Sequence, residues 1–211
     1  MEAAGDKVSG TKGGNTRSRI LEAACEAIAE EGIDDVRIAR VAMRAGASTA
    51  LVHHYFSTRE ELLEEALMHS YELAAEDRFG HPVDADATAT ERLRVMIDEC
   101  LPLPGMQRNE WTLWVELWLR ATRDEALKPM GVRLYENYRA WMLEVINFGV
   151  KTGEFTTDDP EASADVAIGL LDGLGVRALI DDPEMDVERV RILAATRIAR
   201  ELGLDAEALS Q

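Results

Sequence analysis

Apolar residues recur along most of the chain at spacings of three and four, the period of a helix with one buried face. The first such stripe is Ile20, Leu21, Ala24, Ala27 and Ile28. It predicts a helix from about Thr16, a suitable N-cap, to Glu31, stopped by Gly32. Three closely spaced units follow. Ile38 to Ala45 reads as a short helix, and Gly46-Ala47-Ser48 as a tight turn in which glycine supplies a left-handed residue. Ser48 then caps a second short helix, Thr49 to Tyr55. Thr58 opens a long helix, with Glu61 three residues on as the partner of a capping box. This helix carries Leu62, Leu63, Ala66, Leu67, Tyr71 and Leu73 and ends near Asp77.

The same period continues to the end of the chain. Helices are predicted over Thr90–Cys100, Asn109–Thr122 and Glu125–Thr152. Pro102, Pro104 and Gly105 interrupt the first two, and Gly153 ends the third. Asp159 before Pro160 marks an N-cap with proline at the first helical position, and that helix reaches about Ile180. The last covers Val187–Leu202, with Gly203 after it. No stretch alternates as a strand would. The expected fold is therefore all-α, about nine helices. The expected divisions are a flexible, glycine-rich arm over 1–15, a three-helix helix-turn-helix domain over 16–60 and a helical domain over 61–211.

Composition narrows the function. The 211 residues carry a net charge of −17, which at first argues against a nucleic-acid partner. The distribution reverses that argument. Residues 1–60 hold eight basic and nine acidic side chains, whereas residues 61–211 hold fifteen and thirty-one. A near-neutral front end is free to present a basic face, while like-charge repulsion holds the acidic remainder off phosphates. No apolar run approaches the ~20 residues of a membrane span. No leader-like segment is visible, so a cytoplasmic protein with no membrane partner is expected. Cys25 and Cys100 read as free thiols within helices.

No phosphate loop, nucleophile elbow or cofactor motif appears, so neither an enzyme nor a cofactor is expected. Adjacent His53 and His54 point about 100° apart on a helix, and no other His or Cys spacing suits a metal.

Two short helices about a glycine turn, braced by a first helix, form a helix-turn-helix, whose second helix enters the major groove of operator DNA. Ser48, Thr49, Ala50 and Leu51 are short enough to approach base edges, with methyl groups for thymine. His53, His54 and Tyr55 follow as phosphate contacts that fix register. Val52 and Phe56 read as core.

The wording around this unit resembles the TetR family of bacterial repressors. The matching pieces are Arg19-Ile20-Leu21-Glu22-Ala23-Ala24, Glu31-Gly32, Val41 to Ser48, His53-His54-Tyr55-Phe56 and Arg59-Glu60-Glu61-Leu62-Leu63. The resemblance implies that Ser48–Tyr55 is the recognition helix and that Arg59 takes the place of a phosphate-binding lysine. His53 stands where the family often has tyrosine. Arg37 stands at the usual Ser/Thr cap of the second helix, from which an arginine reaches phosphate itself.

The remaining helices then become an effector-binding and dimerising domain. Val166, Ile168, Leu170, Leu171, Leu174 and Val176, with Val190, Ile192, Leu193, Ile198 and Leu202, give the last two helices broad apolar faces. Such faces suit a four-helix interface in a homodimer on a palindromic operator. Trp111, Trp114 and Trp118 fall on one stripe, either as core or as the wall of a small-molecule site. Met96, Cys100, Tyr135, Tyr138 and Met142 are its candidate neighbours.

Trp111 to Trp118, Leu134-Tyr135, Gly153-Glu154-Phe155 and Leu171-Asp172-Gly173-Leu174 are similar to the BetI-like branch, which is associated with choline-type or other small-amine effectors. Aromatic faces with an acid such as Asp98, Glu99, Glu110 or Asp172 suit an alkylammonium. The alternative is a regulator that answers to a protein partner and has no small-molecule pocket.

Overall fold

A computed structural model of the protein describes residues 11–79, 86–125 and 127–209. Among these the regular elements are nine helices. They are α1 (Thr11–Glu31), α2 (Ile38–Arg44), α3 (Thr49–Tyr55), α4 (Arg59–Phe79), α5 (Ala89–Glu99), α6 (Met106–Ala121), α7 (Lys128–Thr152), α8 (Pro160–Leu179) and α9 (Val187–Glu201).

The punctuation foreseen in the sequence fixes most of these ends. Gly32, Gly46, Gly153 and Gly203 all take positive φ after a helix. Ser48 Oγ accepts from Leu51 N at 3.1 Å, and Asp159 accepts from Glu161 N and Ala162 N.

Four starts differ from expectation. α1 begins at Thr11, so Thr16 lies inside it and does not cap it. Gly13 and Gly14 each weigh about 1 kcal/mol against helix relative to alanine, but extending an existing helix is far easier than nucleating one. The first ten residues of the expected arm lie outside the described residues. Thr88, not Thr90, starts α5, with a complete capping box through Glu91. α6 starts at Met106 after Gly105, whose φ is +104°. α7 starts at Lys128 because Pro129, which has no N–H to leave unpaired, sits in its first turn.

The chain divides into two compact units, residues 1–73 and 74–211. The division therefore falls within α4, later than the expected end of the DNA-binding domain at Glu60. The apolar residues at the start of α4 explain the shift. Leu62, Leu63, Ala66 and Leu67 are all buried, whereas Leu73 is exposed. The Tyr71 side chain lies outside the described residues.

In the first unit the core is Ile20, Leu21, Ala24, Ala27 and Ile28 of α1 with Val41, Val52 and Phe56. In the second unit α5, α7, α8 and α9 pack on one another, and α6 lies against α7 and α8. Two helical glycines set how closely this unit packs. A Cβ on Gly149 would lie 2.1 Å from the Phe155 ring, and one on Gly175 would lie 2.3 Å from Trp111 Cη2.

A carboxylate clip fixes the start of α5. Glu154, just past α7, accepts from Ala89 N, Thr90 N and Thr90 Oγ1 at 3.0 Å each. Burial works against its charge, but these hydrogen bonds prevail and hold the carboxyl below its ordinary range. They satisfy donors that a helix start leaves open.

Candidate functional site

The helix-turn-helix presents its second helix as the sequence predicts. Val52 and Phe56 face inward with no exposure. Ser48, Thr49, Ala50, Leu51, His53 and His54 are exposed, and Tyr55 is half-buried against His54 and Phe56. The period of the helix creates this split, since 52 and 56 fall on one side and the remainder on the other. The exposed face is short-chained at its start and carries the rings of His53 and His54 toward its end.

Most arginines of this unit are held internally. Arg19 donates to the Ala45 carbonyl at 2.6 Å. Arg40 pairs with Glu31 at 2.9 Å, and Arg44 pairs with Glu26 and Glu30. Arg17 lies over the Phe56 ring and pairs with Glu65. Arg59 departs most from the role that the resemblance implies. Its Nε donates to the Val36 carbonyl at 2.7 Å, and its Nη2 to those of Ile33 and Asp34 at 2.6 and 2.7 Å. Three carbonyls of the α1–α2 connection thus hold a half-buried guanidinium, which makes Arg59 a brace of the helix-turn-helix. Arg37 is the N-cap residue of α2, exposed and without a side-chain cap bond.

In the second unit the tryptophan stripe of α6 meets α7 and α8 around a cavity. Trp111, Trp114 and Trp118 form one side, with Cys100 at the end of α5. Leu134, Tyr135 and Tyr138 come from α7, and Ile168, Leu171 and Asp172 from α8. Trp111 meets Trp118 edge-on, as Trp114 meets Tyr138, and Trp118 stacks on Tyr135 at 5.8 Å and 17°. The Nε1–H donors of Trp111 and Trp118 are buried with no hydrogen-bond partner among the described residues.

Tyr135 donates its hydroxyl to Asp172 Oδ2 at 2.8 Å. Burial pushes the Asp172 carboxyl above its ordinary range, partly offset by that bond. The cavity has a volume of about 20 Å³.

Of the pocket residues expected from sequence, the geometry removes Met96 and Met142. Both are fully buried within the α5–α7–α8–α9 core, and neither lines the cavity. Of the four candidate acids only Asp172 reaches the cavity wall. Leu134, Ile168 and Leu171 were missed. The signal was present in α8, where Ile168, Leu171, Asp172 and Gly175 recur at helical spacing and form the face toward α6.

A helix-turn-helix unit followed by an all-helical unit with an aromatic pocket defines a DNA-binding transcriptional regulator of the one-chain, two-domain kind. The comparisons with known proteins identify the family. Residues 20–66 match the model for bacterial regulatory proteins of the tetR family, and residues 89–203 match that for the BetI-type transcriptional repressor C-terminal domain. The chain belongs to the TetR family, in its BetI-type branch. This is a family of transcriptional regulators, not enzymes.

Relatives include the regulator BetI of Ectopseudomonas mendocina, 27% identical over 84% of this chain and 89% of that protein. BetI of Escherichia coli K12 is also 27% identical, over 90% and 95%. Among solved structures, a transcriptional regulator from Saccharomonospora viridis in complex with choline is 31% identical, with a TM-score of 0.78 over 86% of this chain and 94% of that one. A TetR transcription regulator from Haloarcula marismortui has a TM-score of 0.74 at 27% identity, over 90% and 97%. Among the described residues no helix is long and apolar enough to cross a membrane.

Proposed function

We propose that the protein is a cytoplasmic homodimeric repressor that releases a palindromic operator when a small ammonium compound occupies the tryptophan-walled cavity. The observation that carries this reading is the composition of the cavity wall. Five aromatic rings surround a single acid, Asp172. A cation over an aromatic face gains about 0.5–2 kcal/mol per favourable contact, and a desolvated carboxylate supplies the counter-charge. The wall offers few hydrogen-bond acceptors. That suits a nitrogen carrying methyl groups better than one carrying three N–H donors, which would lose hydration without replacement. The choline complex of the Saccharomonospora viridis protein supports the same class of effector.

In this reading Ser48, Thr49, Ala50 and Leu51 meet base edges, and His53, His54, Tyr55 and Arg37 meet the backbone. The apolar side chains left on the surface by α8, its C-cap residue and α9, namely Val166, Val176, Ile180 and Ile192, become the face shared with a second copy. Effector binding lowers operator affinity only through unequal affinity for the DNA-bound and released conformations.

The test compares choline with its neutral analogue, in which a quaternary carbon replaces the nitrogen, by isothermal titration of the purified protein. Choline is expected to bind and the analogue to bind at least tenfold more weakly. Equal affinities would remove the role of charge.

The narrowness of the cavity favours a second reading, in which the tryptophans are core and the regulator answers to a protein partner. Absence of binding by any ammonium compound would favour it.

A further inference from the structure

The cavity has room for about one water-sized body. A methylated ammonium is several times larger, so part of the wall has to move to admit it. The wall is unevenly held. Trp111 and Trp114 are buried, at 2% and 3% exposure, and Trp111 is locked against Gly175. Tyr135 is the most exposed aromatic residue of the wall at 40%, with solvent to turn into. Two interactions hold it in place, the stack on Trp118 and the hydrogen bond from its hydroxyl to Asp172.

That hydrogen bond ends on the carboxylate that a cationic ligand needs. Resting on the ammonium reading above, we propose that Tyr135 is a latch that closes the cavity by occupying Asp172, and that the ligand's positive charge opens it by taking the place of the Tyr135 hydroxyl. A neutral ligand that displaced the ring would leave a buried carboxylate without a partner, which is costly. A cation replaces the lost hydrogen bond with a charge pair. The latch therefore favours charged ligands and lowers the apparent affinity for all of them, because only the fraction of molecules with Tyr135 displaced binds.

This assigns Tyr135 a role opposite to that of a simple contact residue. Removing its hydroxyl while keeping its ring should tighten binding. The experiment is stopped-flow tryptophan fluorescence with choline on the full-length protein and its Tyr135→Phe variant. Trp118, stacked on residue 135, reports the displacement. A hydrogen bond to a charged acceptor corresponds to roughly tenfold or more. Tyr135→Phe is thus expected to associate roughly tenfold faster and to lower the Kd by a similar factor. An unchanged or raised Kd in the variant, with wild type binding normally, overturns the latch and leaves the ammonium reading standing. No response of wild type to choline or tetramethylammonium overturns both. The variant leaves the buried Asp172 carboxyl without its hydroxyl partner, so a lowered thermal midpoint in the ligand-free protein, recovered on adding choline, is expected alongside.

Discussion

Gly175 of α8 lies so close to Trp111 of α6 that a single methyl group at position 175 would sit 2.3 Å from Trp111 Cη2. The indole of the cavity wall is therefore seated on bare helix backbone. In an ordinary helix, Gly→Ala stabilises by up to about 1 kcal/mol. Here the sign reverses, because overpacking a dense core costs about 1–3 kcal/mol. Gly175→Ala is expected to lower the thermal midpoint and weaken choline binding. Gly173→Ala, whose Cβ meets nothing within 4 Å in the chain, is the matched control. Calorimetric melts of the two variants separate the local clash from helix propensity.

Asp172 sets an opposition between stability and sensing. Burial raises its folded-state pKa. Its contribution to stability is therefore fully present below the unfolded pKa and is lost as pH rises through the folded value. At neutral pH the buried carboxylate weighs against folding. Asp172→Asn is expected to leave the ligand-free protein as stable as wild type or more so at pH 7. The same change should weaken choline binding by roughly thirtyfold or more, from the ~2 kcal/mol or more lost when one partner of a buried charge pair is removed. Melts across pH 4–8 with parallel titrations check both halves.

The fold was largely legible because its signals are local. Helical period, Gly32, Gly46, Gly153 and the Asp159-Pro160 pair fix elements without reference to anything distant. The stripe of Trp111, Trp114 and Trp118 was legible for the same reason. Side-chain direction between elements was not. Nothing in the order of residues says that Met96 turns into the α5–α9 core or that the Arg59 guanidinium turns back onto the carbonyls of Ile33, Asp34 and Val36. Asp172 stood among four candidate acids until α8 was placed against α6.

Arg59 and Arg37, both phosphate contacts by sequence alone, should separate, with Arg59 bracing the helix-turn-helix and Arg37 keeping the phosphate role. Arg59→Ala removes three hydrogen bonds to carbonyls of the α1–α2 connection and is expected to destabilise the first unit by about 1–3 kcal/mol. Arg37→Ala should leave the melt unchanged and reduce the salt slope of operator binding by about one. Filter binding over a range of salt concentrations, beside thermal melts, separates them.

Glu154 is expected to act as a structural clip for α5. Glu154→Ala strips acceptors from Ala89 N, Thr90 N and Thr90 Oγ1 and should cost about 1–2 kcal/mol, as the loss of a helix cap does. The sign with pH is opposite to that of Asp172. The depressed folded pKa gives stability present above the unfolded value and lost as pH falls through the folded one. The difference in midpoint between wild type and variant should therefore shrink on acidification.

The central claim, a regulator whose grip on DNA is released by an ammonium compound, is tested most directly by one titration. DNA flanking the protein's own gene is held with the purified protein at fixed moderate salt, and choline is added while retention on a native gel is followed. The account predicts sequence-specific retention that choline abolishes, with no effect from the neutral carbon analogue. Specific retention that no ammonium compound changes would contradict it.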